Sequence, residues 1–184
     1  VASGCAHSAF VDAAGRLLTC GESGVDGMLG QGSDVAGATA PAAVLGLDGV
    51  RVASVATSWC HFLALSADGA VYSFGAGRDG ALGHGDRKEQ HLPKLVEALR
   101  GKKIVQVSAG FGHSLVLTES GDVFSFGHGE YGQLGHGEGR EEQHLPKLVE
   151  ALKGKKVVQV SAGSNHSLVL TESGDVYSFG YDGY

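Results

Sequence analysis

The chain repeats itself. Glu89 to Tyr131 and Glu142 to Tyr184, 53 positions apart, agree at 35 of 43 places, so whatever the first segment folds into, the second must fold into as well. Four histidines extend the repeat upstream. His7, His61, His113 and His166 stand in the frames Gly-Cys-Ala-His, Ser-Trp-Cys-His, Gly-Phe-Gly-His and Ser-Asn-His, at spacings of 54, 52 and 53. The chain therefore holds about three and a half copies of one unit, with units expected over residues 1–54, 55–106, 107–159 and 160–184.

The residues of one copy indicate what the unit is. Lys103 to Ala109 is rich in β-branched residues; Gly110-Phe111-Gly112 separates it from His113 to Thr118, and the turn Glu119-Ser120-Gly121-Asp122 leads into Val123 to Phe126. This pattern predicts three short strands joined by tight links. Gly121, like Gly69 and Gly174 in the equivalent turns, is free to take the positive φ that a hairpin turn requires. The stretch from Leu92 to Leu99 reads two ways. Leu92, Leu95, Val96 and Leu99 fit helical spacing, but Pro93 cannot donate to a ladder and two turns of helix are marginal alone. A short edge strand over Pro93 to Val96, followed by a turn at Arg100-Gly101, is expected, with a helical turn as the alternative.

Four short antiparallel strands per unit of 52 to 54 residues cannot bury two faces alone, and blades stacked around an axis solve that problem. The expected fold is all-β, a β-propeller; a solenoid is the rival, but its repeats are usually shorter and rarely hold complete hairpins. The central strands should then be apolar on both faces, as Leu115-Val116-Leu117 is.

The recurring frame Val-Ser-Ala-Gly-x-x-His-Ser-Leu-Val-Leu-Thr-x-x-Gly-Asp-Val-Tyr/Phe-Ser-Phe-Gly, with Gly132-Gln133-Leu134-Gly135-His136-Gly137 after it, resembles the repeat of the regulator of chromosome condensation family over essentially the whole chain. Phe74, Phe126 and Phe179 stand where that family often has Trp. The first copy is degraded, with Thr19-Cys20-Gly21 and an extra residue between Gly21 and Gly32. The resemblance implies a ring of seven blades, of which residues 1–184 would form a single partial propeller domain. Val1 is not a natural start, and the last copy stops where the earlier one continues into Gly132-Gln133-Leu134-Gly135. A piece of a longer protein or larger assembly is therefore expected.

Composition narrows the function. At 42% hydrophobic and 18% charged residues the chain is globular material, and its 31 glycines recur at fixed phases, as turn residues do. Fourteen Lys and Arg against 20 Asp and Glu give a net charge of −6, with basic clusters only at Lys102-Lys103 and Lys155-Lys156. Such a surface disfavours nucleic acid. Three cysteines, Cys5, Cys20 and Cys60, cannot all pair and form no Cys-x-x-Cys, which fits a reducing, intracellular compartment, cytoplasm or nucleus. Cys20 occupies the phase of Phe74, Phe126 and Phe179, so a small buried hydrophobe is expected there. No apolar run approaches the roughly 20 residues of a membrane span.

Chemistry-bearing motifs dissolve into the repeat. Gly75-Ala76-Gly77-Arg78-Asp79-Gly80 and Gly127-His128-Gly129-Glu130-Tyr131-Gly132 match a dinucleotide fingerprint, yet Ala81-Leu82-Gly83-His84-Gly85 and its counterpart cannot continue as a helix. They are read as loop-closing glycines, and no cofactor is expected. The four repeat histidines are spaced by blades rather than by ligand geometry, so a structural role, hydrogen-bonding the turn before each strand, is expected in place of a metal site. His84 with His91 and His136 with His144 are likewise phased and lack a third ligand. Ser114 and Ser167 each follow a histidine, but neighbours on a strand point to opposite faces and cannot form a nucleophile and base. No catalytic residue is assigned.

A positive signal comes from the two best copies. Of their eight differences, three are near-synonymous; the other five, Phe111/Ser164, Gly112/Asn165, His128/Tyr181, Gly129/Asp182 and Glu130/Gly183, fall in two loops. Antiparallel strands place those two loops at one end of the blade and Glu-Ser-Gly-Asp at the other. Varied loops on a fixed scaffold suit recognition. The candidate partner-binding residues on that rim are Trp59, Arg78, Asp79, Phe111, His128, Glu130, Tyr131, Asn165, Tyr181, Asp182 and Tyr184. The expected function is a non-catalytic interaction module that docks a protein partner through this rim. The resemblance implies an alternative, guanine-nucleotide exchange on a Ran-like small GTPase, although no inserted wedge hairpin is visible between the repeats. Other relatives place such a propeller beside ubiquitin-ligase domains or use it as a light sensor; the latter relies on clustered Trp, and this chain has one.

Overall fold

Runs of β-branched residues broken by positive-φ glycines give four antiparallel sheets among the described residues of the computed structural model, which are 1–22, 28–35, 37–137 and 141–183. The first sheet holds β1 (Ala2–Ser3), β2 (His7–Val11), β3 (Leu17–Glu22) and β4 (Gly37–Ala43). The second holds β5 (Val52–Thr57), β6 (His61–Ser66), β7 (Val71–Gly75) and β8 (Gln90–Leu95). The third holds β9 (Ile104–Ala109), β10 (His113–Thr118), β11 (Val123–Gly127) and β12 (Gln143–Leu148), and the fourth β13 (Val157–Ala162), β14 (His166–Thr171) and β15 (Val176–Gly180). Strand order follows chain order in every sheet. The first strands meet from sheet to sheet, β5 against β9 and β9 against β13, so they line a common axis. This is a β-propeller of about three and a half blades.

The hairpin turns form as their glycines require: Gly69, Gly121 and Gly174 all have φ of +89°. The fourth strand of a blade runs from Gln90 to Leu95, earlier than expected, and the helical alternative is also realised, as a 3-10 turn at Glu97–Leu99 and again at Glu150–Leu152. Both fit because strand and turn use different residues of the ambiguous stretch. All three prolines, Pro41, Pro93 and Pro146, sit in the outermost strands β4, β8 and β12. There a missing N–H costs no ladder bond and blunts an exposed edge.

The cores lie between sheets, not within them. One packs Ala9, Leu17, Leu29 and Val52 with Phe62 and Phe74, whose rings stack at 4.7 Å. The next joins Leu63, Leu65 and Val71 to Val107, Val116 and Phe126, and the last joins Leu115, Leu117 and Val123 to Val160 and Val169. As expected for strands with a sheet on either side, β6 and β10 are buried along their whole length. On the uncovered side of the fourth sheet, His166, Leu168 and Val176 are exposed where their equivalents His113, Leu115 and Val123 are buried.

Successive blades are latched by two devices. A positive-φ glycine in the loop before each fourth strand lies under the phenylalanine of the following sheet: Gly30 under Phe74, Gly83 under Phe126 and Gly135 under Phe179, where a Cβ would come within about 3 Å of each ring. Cys20, at the same phase in the first sheet, is half-buried, less enclosed than expected. The extra residue of the first copy lies in a loop whose residues 23–27 fall outside the described ones. The second latch is made by the histidines, and it corrects their expected partner. His61 Nε2 lies 2.9 Å from Ser114 Oγ, and His113 Nε2 lies 3.0 Å from Ser167 Oγ, in each case on the next sheet. The two hydroxyls donate to the carbonyls of Ala81 and Gln133, so it is the imidazole that donates across the joint. Only His61 also reaches the turn before its strand, through Ser58 Oγ at 3.3 Å. Where Phe62 replaces the serine, His7 turns to Thr57 Oγ1 at 2.7 Å.

Candidate functional site

The register pairs His113 with Gly127 and His61 with Gly75, and His128 N–H donates to the Gly112 carbonyl at 2.8 Å. Loops 58–60, 110–112 and 163–165 therefore share one end of the blades with loops 76–82, 128–134 and 181–183. The opposite end carries repeated, exposed ion pairs, Lys103 with Glu119 at 2.6 Å and Lys156 with Glu172 at 2.7 Å. Lys102 and Lys155 lie over the rings of Phe124 and Tyr177 there.

The rim gathers four half-exposed aromatic side chains: Trp59 at 53%, Phe111 at 43%, Tyr131 at 38% and Tyr181 at 51%. They form two groups. Trp59 and Phe111 meet at 4.4 Å between centroids. With Arg78 and Asp79 they surround a cleft of about 250 Å³ floored by Met28, Ala76, Cys60 and Gly112. Asp79 holds a left-handed backbone, φ +58°, and is the one such non-glycine among the described residues. That conformation is costly for a side chain outside Gly, Asn and Asp. The Cys60 thiol donates to the Phe111 carbonyl at 3.6 Å. Burial raises its pKa more than the charge of Arg78 lowers it, which disfavours the reactive thiolate.

In the second group, Tyr131 meets His128 edge-on at 5.6 Å and Tyr181 at 5.3 Å. Gln133 organises it: its carboxamide N–H donates to His128 Nδ1 at 2.9 Å and its oxygen accepts from Tyr131 N–H at 3.0 Å. That leaves His128 Nε2–H to reach Glu130, 3.3 Å away. Arg87 bonds Glu142 of the next sheet at 2.5 Å, beside a polar groove that also takes in His144 and Glu141. Asn165 is half-buried, its carbonyl accepting from Tyr181 N–H at 2.9 Å, and Asp182 is exposed. Tyr184 lies outside the described residues. Ala76, Met28, Cys60 and Gln133 were missed by sequence reasoning. Ala76 had a legible signal, being small where the later copies have His128 and Tyr181.

Among the described residues no reactive constellation lies on this rim. His and Ser adjacent in sequence do not meet, but His61 with Ser114 and His113 with Ser167 do, across sheets. These pairs have the spacing of a base and a nucleophile, yet all four side chains are fully buried. Burial pushes His61 down to about 4 and His113 down to about 3. Enclosed neutral pairs whose hydroxyl protons go to carbonyls are latches. Among the described residues no group of three or more His, Cys, Asp and Glu could hold a metal ion, and no helix is long and apolar enough to cross a membrane. The glycine fingerprint at residues 75–80 contains a single 3-10 turn, Arg78–Gly80, and no helix follows it.

Comparison with known proteins agrees with this architecture. A family model described as Regulator of chromosome condensation (RCC1) repeat matches residues 68–117 and 120–170, and a second of the same description matches 52–81, 104–133 and 157–184. Human E3 ubiquitin-protein ligase HERC2 is 42% identical over 178 residues, covering 95% of this chain and 4% of the ligase. The Arabidopsis thaliana ultraviolet-B receptor UVR8 is 34% identical over 182 residues, covering 99% of this chain and 41% of the receptor. The crystal structure of human WBSCR16 superposes with a TM-score of 0.86 at 28% identity, over 97% of this chain and 46% of that one. The chain thus spans less than half of each.

Proposed function

The chain belongs to the regulator of chromosome condensation repeat family, and on that footing we propose that it is a docking module, holding a protein partner against its variable loop rim and doing no chemistry on it. The observation that carries this reading is the asymmetry of the two rims: exposed Trp59, Phe111, Tyr131 and Tyr181 crowd one end, while exposed Lys–Glu ion pairs mark the other. Half-exposed aromatics on a rigid scaffold are the residue types that anchor interfaces. The use of one repeat in a ligase and in a light receptor supports a reusable surface over a shared reaction. The net charge of −6 favours protein over nucleic acid, and the free cysteines support a reducing compartment. Ligation and light reception belong to the whole relatives and are not carried over.

Photo-crosslinking residues placed at Phe111, Tyr131 and Tyr181, against controls at Glu119 and Glu172 on the other rim, test the proposal in cells. Adducts with a recurrent protein from the first set alone support it; equal labelling from both rims counts against it. A nucleotide-release assay on a panel of small GTPases, the Ran-like class included, addresses the alternative. Rapid discharge by this chain would replace docking with exchange.

A further inference from the structure

We propose, resting on the docking role above, that the cleft bordered by Trp59 and Phe111 is a socket for one large apolar side chain of the partner, next to an acidic residue that pairs with Arg78. The argument begins with what opens the socket. Ala76, His128 and Tyr181 occupy the same repeat position, as do Asp79 and Tyr131. At the following joint His128 and Tyr131 fill the space and pack on Tyr181. At this joint Ala76 leaves the space empty, and three blades line it: Met28 from the first, Trp59, Cys60, Ala76, Arg78 and Asp79 from the second, Phe111 and Gly112 from the third. The opening thus distinguishes this joint from the following one.

Its chemistry defines the occupant. An apolar cavity of about 150 Å³ already accepts a benzene ring, so about 250 Å³ beside the touching rings of Trp59 and Phe111, over Met28 and Ala76, accommodates a Phe, Leu or Met side chain. At the lip, Arg78 is exposed and makes no ion pair among the described residues. The Asp79 carboxylate borders the cleft beside Gly112 and is half-buried, whereas Arg78 is exposed. The charge at the lip is therefore the guanidinium, which a single carboxylate complements. A run of acidic residues is disfavoured, because Glu130 and Asp182 are exposed on the same rim.

The neighbouring blades supply the test. Ala76→Tyr introduces the residue that the fourth blade carries at this position, and Phe111→Ser introduces that blade's Ser164, so each change has precedent on the same backbone. Trp59 is the only tryptophan of the chain, and its emission reports on the socket directly. A random dodecapeptide library is selected on the wild-type chain and binders are measured on both variants and on Arg78→Ala. The expected binders carry one large apolar residue beside Asp or Glu and shift Trp59 emission to the blue. They weaken by roughly tenfold or more on Ala76→Tyr and on Phe111→Ser, and lose their acidic preference on Arg78→Ala. No enrichment, or binders that hold Ala76→Tyr and Phe111→Ser as tightly as wild type without moving Trp59 emission, overturns the socket. If such binders depend on Tyr131 and Tyr181 instead, the rim remains the docking surface and only the socket falls.

Discussion

At the residue scale the joints between blades are set by single polar atoms. Ser114 Oγ accepts from His61 and donates to the Ala81 carbonyl, so Ser114→Ala strands a buried N–H and a buried C=O together. The expected loss is about 1–3 kcal/mol, read as a lowered urea midpoint at unchanged slope. A change under about 0.5 kcal/mol would remove the latch from the account. The same histidines make folding pH-dependent. Burial, with neighbouring histidine charge second, holds His61 at about 4 and His113 at about 3, below the ordinary 6.5. The unfolded chain therefore binds protons first. Stability is full above 6.5 and drains as pH falls toward 4, by up to about 1.4 kcal/mol per histidine per pH unit. Denaturation midpoints should fall between about pH 7.5 and about pH 5, and His113→Gln should flatten that dependence; a constant midpoint contradicts it. The phase of these histidines was legible in the sequence, but their partners were not. A hydroxyl 53 residues away becomes a neighbour only once the curvature between sheets is fixed, and no local pattern encodes that angle.

At the element scale the decisive piece is the loop before the fourth strand. Its glycines were legible as turn formers; their second duty, seating a ring of the next blade, is a tertiary contact invisible to spacing. The two duties can be separated. Gly101 has φ +80° with nothing within 4 Å of an added Cβ, whereas Gly83 has φ +75° with the Phe126 ring at 2.9 Å. Gly101→Ala should cost about 1–2 kcal/mol for its backbone alone, and Gly83→Ala about 1–3 kcal/mol more for the displaced ring. Equal costs in chemical denaturation would dismiss the latch. The fourth strand itself was half legible. Pro93 marked the edge correctly, but the helical spacing of Leu92 to Leu99 belonged to two consecutive elements, and a reading that must choose one loses a boundary.

At the scale of the whole molecule, the cores between sheets and the proposed docking rim are separable properties. That the variable loops share one end of the blades was legible, because two near-identical copies differ mainly there; the cleft at Trp59 was not, because it depends on what Ala76 lacks, and an absence shows only when three blades converge. The double variant Tyr131→Ala, Tyr181→Ala removes exposed rings that anchor no core, so its thermal midpoint should stay within about 2 °C of wild type while crosslinking to the partner is lost. A matching fall in the midpoint would make these rings structural. Hydrogen–deuterium exchange of the chain with and without a captured partner is the most direct examination of the division. Protection is expected to be confined to loops 58–60, 76–80, 110–112, 128–132 and 163–165; protection centred on turns 67–70, 119–122 and 172–175 would place recognition on the other end of the blades and contradict the docking rim.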